Sequence, residues 1–128
     1  MTPENNILIV TPRMEELAAL CRSNTLIEAG LYREYDVKRG LRDVNGKGVL
    51  AGLTNISDII AQREVDGILQ PCPGELYYRG IRIEELVQGF VREGRKGYEE
   101  VAYLLLFGRL PDAKELGSFK SLLAQGRM

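Results

Sequence analysis

Histidine is absent from all 128 residues, cysteine occurs only twice, and neither sign of charge dominates. The first absence restricts the chemistry most. Without an imidazole, Ser57, Ser118 and Ser121 cannot be activated as in a serine triad, and a histidine-ligated zinc or iron site is excluded in the same way. An oxygen-only metal site would need the spacing of a calcium loop, which no run of acidic residues shows; no metal ligands are assigned. Cys21 and Cys72 have no spacing that suggests a metal site or a disulfide framework, so free thiols in a reducing, cytoplasmic compartment are expected. Cys72 lies between Pro71 and Pro73 with no histidine to lower its pKa, and a structural role suits it better than that of a nucleophile.

Seventeen Lys and Arg balance eighteen Asp and Glu, for a formal charge of -1. Such a chain has no field to draw in a phosphate backbone or an anionic membrane, so neither nucleic acid nor membrane is an expected partner. Arg92, Arg95 and Lys96 are interrupted by Glu93 and have no interleaved aromatics. Long apolar runs are lacking as well: Ile7 to Val10 is too short for a secretory signal, and Val101 to Phe107 falls far below the ~20 residues that span a bilayer.

What remains is a chain that should fold. Hydrophobic residues make up 45% and charged ones 27%, the balance of an ordinary globular protein. At this length one core is expected, burying roughly two thirds of the unfolded surface.

Thr11 and Pro12 read as N-cap and first helical residue of a helix to Arg22, with Met14, Leu17, Ala18 and Cys21 on one face. A second helix is expected from Thr25 to Tyr35, weakened by Gly30. From Arg39 to Gly80 glycines are frequent and no helical period is sustained, which suggests a small antiparallel sheet. Asn45-Gly46 is read as a hairpin turn; Val49 to Ile56, Asp66 to Leu69 and Glu75 to Tyr78 are read as strands, with Pro71 to Gly74 as a turn. Ile83, Leu86, Val87, Phe90 and Val91 then follow a helical stripe. The next helix, Tyr98 to Phe107, is apolar almost all round and must be covered on most sides; Gly108 and Pro111 end it. Asp112 and Glu115 form a capping-box pattern opening a last helix to about Gln125, with Leu116, Phe119, Leu122 and Leu123 on one side. The expected fold is therefore mainly α with a small antiparallel β-sheet, in which residues 1–38 are a helical lead-in and 39–128 the main segment.

Arg39 to Gly48 resembles a phosphate loop only superficially. A Walker loop needs glycine where Leu41 stands and a hydroxyl where Gly48 stands. Gly46, Gly48 and Gly52 have one residue too many before the third glycine for a dinucleotide fingerprint. The pairs Glu15-Glu16, Glu84-Glu85 and Glu99-Glu100 point about 100° apart on a helix and suit dipole compensation near helix starts rather than acid-base work. The six tyrosines are expected to pack, with hydroxyls reaching the edge.

Several blocks in a fixed order carry more information than any of these motifs. They are Thr54-Asn55-Ile56-Ser57-Asp58-Ile59, then Gly74-Glu75-Leu76-Tyr77-Tyr78-Arg79-Gly80, then Glu99-Glu100-Val101-Ala102-Tyr103-Leu104-Leu105-Leu106-Phe107-Gly108-Arg109-Leu110-Pro111. Together they resemble the amino-terminal part of citrate synthases, across about 39–123. The stretch 60–73 is longer than the turn of the simplest members, and the first forty residues resemble the lead-in of longer-headed ones. Whether the product is citrate or 2-methylcitrate stays open.

The resemblance implies a helical fragment of the citrate synthase large domain, with a small sheet, from a tricarboxylic acid cycle acyltransferase that condenses acetyl-CoA with oxaloacetate. It also implies a homodimer, with catalysis by two histidines and an aspartate in later segments. No position here matches those motifs, so no catalytic residue is assigned. Arg42 falls where some members place an arginine near the coenzyme A phosphates; a surface ion pair is the equal alternative. The chain is thus expected to be an inactive scaffold that binds no cofactor by itself, with acetyl-CoA a substrate of the parent and the rest of the synthase chain its partner. The alternative is a freestanding dimerisation or interaction module of the same origin. Uncovered apolar surface leads to an expectation of self-association or partial disorder when the chain is alone.

Overall fold

A computed structural model of the chain describes residues 9–38, 40 and 49–127. Arg42 and the Asn45-Gly46 turn lie outside the described residues. Within them the fold is mainly helical with a three-stranded antiparallel sheet.

Helix α1, Pro12–Asn24, starts as its sequence dictates: the Thr11 hydroxyl accepts from the Met14 N–H at 3.3 Å, and Pro12 occupies the first turn. The second helix is shorter than expected. Thr25 is the C-cap of α1, its hydroxyl donating to the carbonyls of Cys21 and Arg22 at 3.1 Å, so it cannot open a new helix. Helix α2, Ala29–Glu34, has no side-chain cap.

The sheet differs more. Residues 49–56 form no strand; β1 runs Ser57–Val65, β2 Ile68–Tyr78 and β3 Ile81–Arg82, in that spatial order. Asp66-Gly67, read as part of a strand, is the hairpin turn, with φ of 52° and 77°. Both central residues of a type I′ turn need positive φ, which Asp and Gly tolerate. Pro71 to Gly74, read as a turn, lies within β2. Between the pairs Ile60↔Glu75 and Gln62↔Pro71, β1 advances two residues and β2 four, so the irregularity is absorbed on β2. A second two-residue turn, Arg79-Gly80, joins β2 to β3 with φ of 49° and 82°.

Helix α3, Ile83–Arg92, buries Leu86 and half-buries Ile83 and Phe90, but Val87 and Val91 are exposed, so its apolar stripe is wider than its neighbours cover. Helix α4, Tyr98–Phe107, begins after Gly97 and ends at Gly108, both left-handed. Helix α5, Ala113–Gln125, opens on the expected capping box: Glu115 N–H donates to Asp112 Oδ1 at 2.8 Å, and Asp112 N–H to Glu115 Oε2 at 3.0 Å.

The core lies where α1, α4 and α5 meet. Leu17, Tyr103, Phe107 and Phe119 are buried together, with Leu20, Cys21, Ala102, Leu122 and Leu123 against them. The three rings pack edge to face at centroid distances of 4.5–5.8 Å, the arrangement their quadrupoles favour. Not all tyrosines pack as expected: Tyr103 is buried, whereas Tyr32, Tyr35 and Tyr98 are exposed.

Candidate functional site

The densest polar arrangement surrounds Arg79, in the turn between β2 and β3. Its guanidinium donates through Nε and Nη2 to the carbonyl of Leu105, at 3.1 and 2.8 Å. Through Nη1 it reaches the Asn24 carbonyl at 3.0 Å and both the carbonyl and Oδ1 of Asn55, at 3.3 and 3.0 Å. Asn55 Nδ2 in turn donates to the Asn24 carbonyl at 3.1 Å. Leu105 lies in the last turn of α4 and Asn24 closes α1, where helix carbonyls lack intrahelical donors and the helix dipole is negative. One cation thus satisfies the carboxyl ends of two helices and ties both to the sheet.

This arrangement fastens; it does not receive a ligand. Three of the guanidinium nitrogens already point at protein oxygens, which leaves little to offer an anion. The cavity beside it, about 530 Å³, is open and lined by Leu53, Asn55, Ser57, Asp58, Tyr77 and Arg79 among others. Among the described residues Asp58 is its only carboxylate, and no second described acid or base lines it.

Two other charged clusters are structural. On the hairpin, Tyr77 donates to Glu75 at 2.7 Å and Arg63 to its other oxygen at 2.8 Å. Those bonds, Tyr77 first, hold the Glu75 carboxyl below the usual carboxylate range, while Glu75 raises the Tyr77 hydroxyl. Beside the core, Arg109 grips Glu115 through both oxygens, at 2.8 and 2.5 Å, and stands 5.8 Å over the Tyr103 ring. Arg109 first, then the backbone of Asp112, lowers the Glu115 carboxyl to about 2.

The residues singled out from sequence are scattered. Ser57 lines the cavity, whereas Ser121 donates to the Gly117 carbonyl within α5. Glu16 pairs with Arg13, Glu84 with Arg82 and Glu100 with Arg95, each beside a helix start. Cys21 and Cys72 are half-buried free thiols, Cys21 against the core. No group of three metal-ligating side chains occurs among the described residues, and no described helix is long and apolar enough to cross a membrane. Arg79 lies within the Gly74–Gly80 block, but sequence reasoning gives it no role, because its partners are distant in the chain.

The family model described as "Citrate synthase, C-terminal domain" matches residues 40–128. The chain belongs to the citrate synthase family. It is 32% identical over 102 residues to the glyoxysomal citrate synthase of Cucurbita maxima, covering 77% of this chain and 18% of that protein. A citrate synthase of Saccharolobus solfataricus is 46% identical over 50 residues, or 39% of this chain and 12% of its own length. 2-Methylcitrate synthase 1 of Corynebacterium glutamicum is 33% identical over 85 residues, 66% of this chain and 17% of that protein. The chain therefore spans less than a fifth of the length of these relatives. No solved structure matches it.

Proposed function

We propose that this chain is a scaffold portion, amino-terminal in position, of a citrate synthase-type acyltransferase, and that it is inactive by itself. The carrying observation is the family match over residues 40–128 in a chain with no histidine. The parent reaction removes a proton from the acetyl methyl group, adds the resulting carbon to the oxaloacetate ketone and hydrolyses the thioester. Each step needs a placed acid or base. The charged groups described above are instead engaged within the fold, as Arg79, Glu75 and Glu115 are.

The uncovered apolar side chains fit this role. Val87, Val91, Tyr98 and Leu106 are 41–75% exposed on α3 and α4, and a groove of about 870 Å³ between α4 and α5 is lined by Ala102, Leu106, Leu122 and Leu123 among others. In the parent enzyme these surfaces receive the rest of the synthase chain. The same reading takes residues 1–38 as a helical lead-in to the main segment, and the protein as cytoplasmic, homo-oligomeric and part of the tricarboxylic acid cycle. Arg42 meets coenzyme A phosphate only in the assembled enzyme.

The test is direct. The purified chain, given acetyl-CoA and oxaloacetate, should release coenzyme A thiol no faster than buffer does. Release that scales with chain concentration, in a preparation free of host synthase, contradicts the proposal.

A further inference from the structure

Helix α1 meets the rest of the fold through partners that are distant in the chain. Leu17 is buried with Tyr103, Phe107 and Phe119, and Leu20 and Cys21 pack against that cluster. The three rings, however, all belong to α4 and α5, and each lies against the other two. They form a cluster without α1. The two helices that carry them are also neighbours in sequence: Gly108 ends α4, and the capping box of Asp112 and Glu115 opens α5. Such a local pair closes at little entropic cost, whereas seating α1 on α4 closes a loop that contains α2, the sheet and α3.

Both ends of α1 are finished by residues of its own neighbourhood. The Thr11 hydroxyl caps the start. At the other end the Leu20 carbonyl accepts from Ser23 Oγ and Asn24 Nδ2, at 2.8 and 2.9 Å, and the Thr25 hydroxyl serves the carbonyls of Cys21 and Arg22. The Asn24 carbonyl differs. Its donors, Arg79 Nη1 at 3.0 Å and Asn55 Nδ2 at 3.1 Å, come from outside the helix. The Asn24 side chain lies against the end of α4, where a Cβ added to Gly108 would stand 2.5 Å from its Oδ1. Among the described residues, the hydrogen bonds that hold α1 to other elements converge on Asn24.

We propose that α1 is a latch. It opens as one unit from the α4–α5 pair while that pair and the hairpin stay folded, and the hold of Arg79 and Asn55 on Asn24 keeps it shut. Opening gives Leu17 and the Cys21 thiol to water and bares one side of the ring cluster, which α4 and α5 retain between them. A helix of 13 residues is marginal in water by itself, so α1 unwinds once unseated and its amides exchange with solvent. The family match begins at residue 40, so the latch belongs to the part of the chain that the match does not include. It holds or fails independently of the scaffold reading.

The test is native-state hydrogen exchange of the full chain, unsubstituted and with two substitutions. In the unsubstituted chain the amides of 16–24 should share one opening equilibrium and be less protected than those of 102–107 in α4 by about tenfold or more. Asn55→Ala removes both side-chain bonds that Asn55 makes to the latch, and should speed exchange of α1 by about tenfold or more, the scale of two lost hydrogen bonds. Leu17→Ala leaves Arg79 and Asn55 untouched but removes the buried anchor of α1, and should act in the same direction. Neither substitution should change exchange in α4 or α5. Equal protection of α1 and α4, protection graded from one end of α1 to the other as in fraying, an α1 rate that Asn55→Ala leaves unchanged, or substitutions that speed all the helices alike would overturn the proposal.

Discussion

At Arg79 a backbone cost and a side-chain gain meet in one residue. Its φ of 49° is left-handed, a conformation that costs a residue with a Cβ about 1–2 kcal/mol. The guanidinium offsets this by holding the carbonyls of Asn24 and Leu105. Arg79→Ala keeps the strain and loses the clamp, so stability should fall by about 2 kcal/mol, the scale of charged hydrogen bonds; the midpoint of urea unfolding reports it. Arg79→Lys keeps the charge but not the planar fork, and should fall between the two. Glu115 makes a different prediction. Its folded pKa of about 2 lies below the unfolded value near 4.5, so its contribution is present above pH about 4.5 and is lost as pH falls toward about 2. Urea midpoints measured across that range should drop, and Glu115→Gln should flatten that part of the curve. The capping role of Glu115 was legible because its partner Asp112 is three residues away. The role of Arg79 was not, because its partners are 26 and 55 residues distant and nothing local marks them.

Among the elements, local chemistry explains both what was read correctly and what was not. The boundaries of α4 and α5 follow from Gly108 and from Asp112 with Glu115, signals contained within a few residues. The hairpin departs from its sequence expectation because Pro71 and Pro73, which suggest a strand end, lie inside β2, and the turn falls instead at Asp66-Gly67, itself a strong turn signal. Prolines sit in β2 because its outer edge needs no N–H there. Gly97 is fixed more firmly than its loop position suggested: its φ is 76°, and an added Cβ would stand 2.5 Å from Phe90 Cδ1. Gly97→Ala should therefore destabilise by about 2–5 kcal/mol, combining backbone strain with overpacking. Gly89, inside α3, has nothing within 4 Å of such a Cβ, and Gly89→Ala should stabilise by about 0.5–1 kcal/mol. Thermal unfolding of the two variants beside the parent checks both signs.

For the molecule as a whole, the family and the mainly helical class were readable from ordered blocks of residues, because those blocks span both sheet and helices. Which apolar surfaces stay open was not readable. The stripe on α3 looks complete in sequence, and only the three-dimensional arrangement reveals that the described residues leave Val87 and Val91 exposed. The central claim is that this polypeptide is framework without groups placed to move protons on an acetyl thioester. Deuterium exchange into the methyl group of acetyl-CoA tests it most directly, with the purified chain in heavy water, oxaloacetate present or absent, followed by proton NMR. The account predicts loss of the methyl signal at the buffer rate at every chain concentration. Exchange that rises in proportion to the chain, and survives removal of any host synthase, would contradict it.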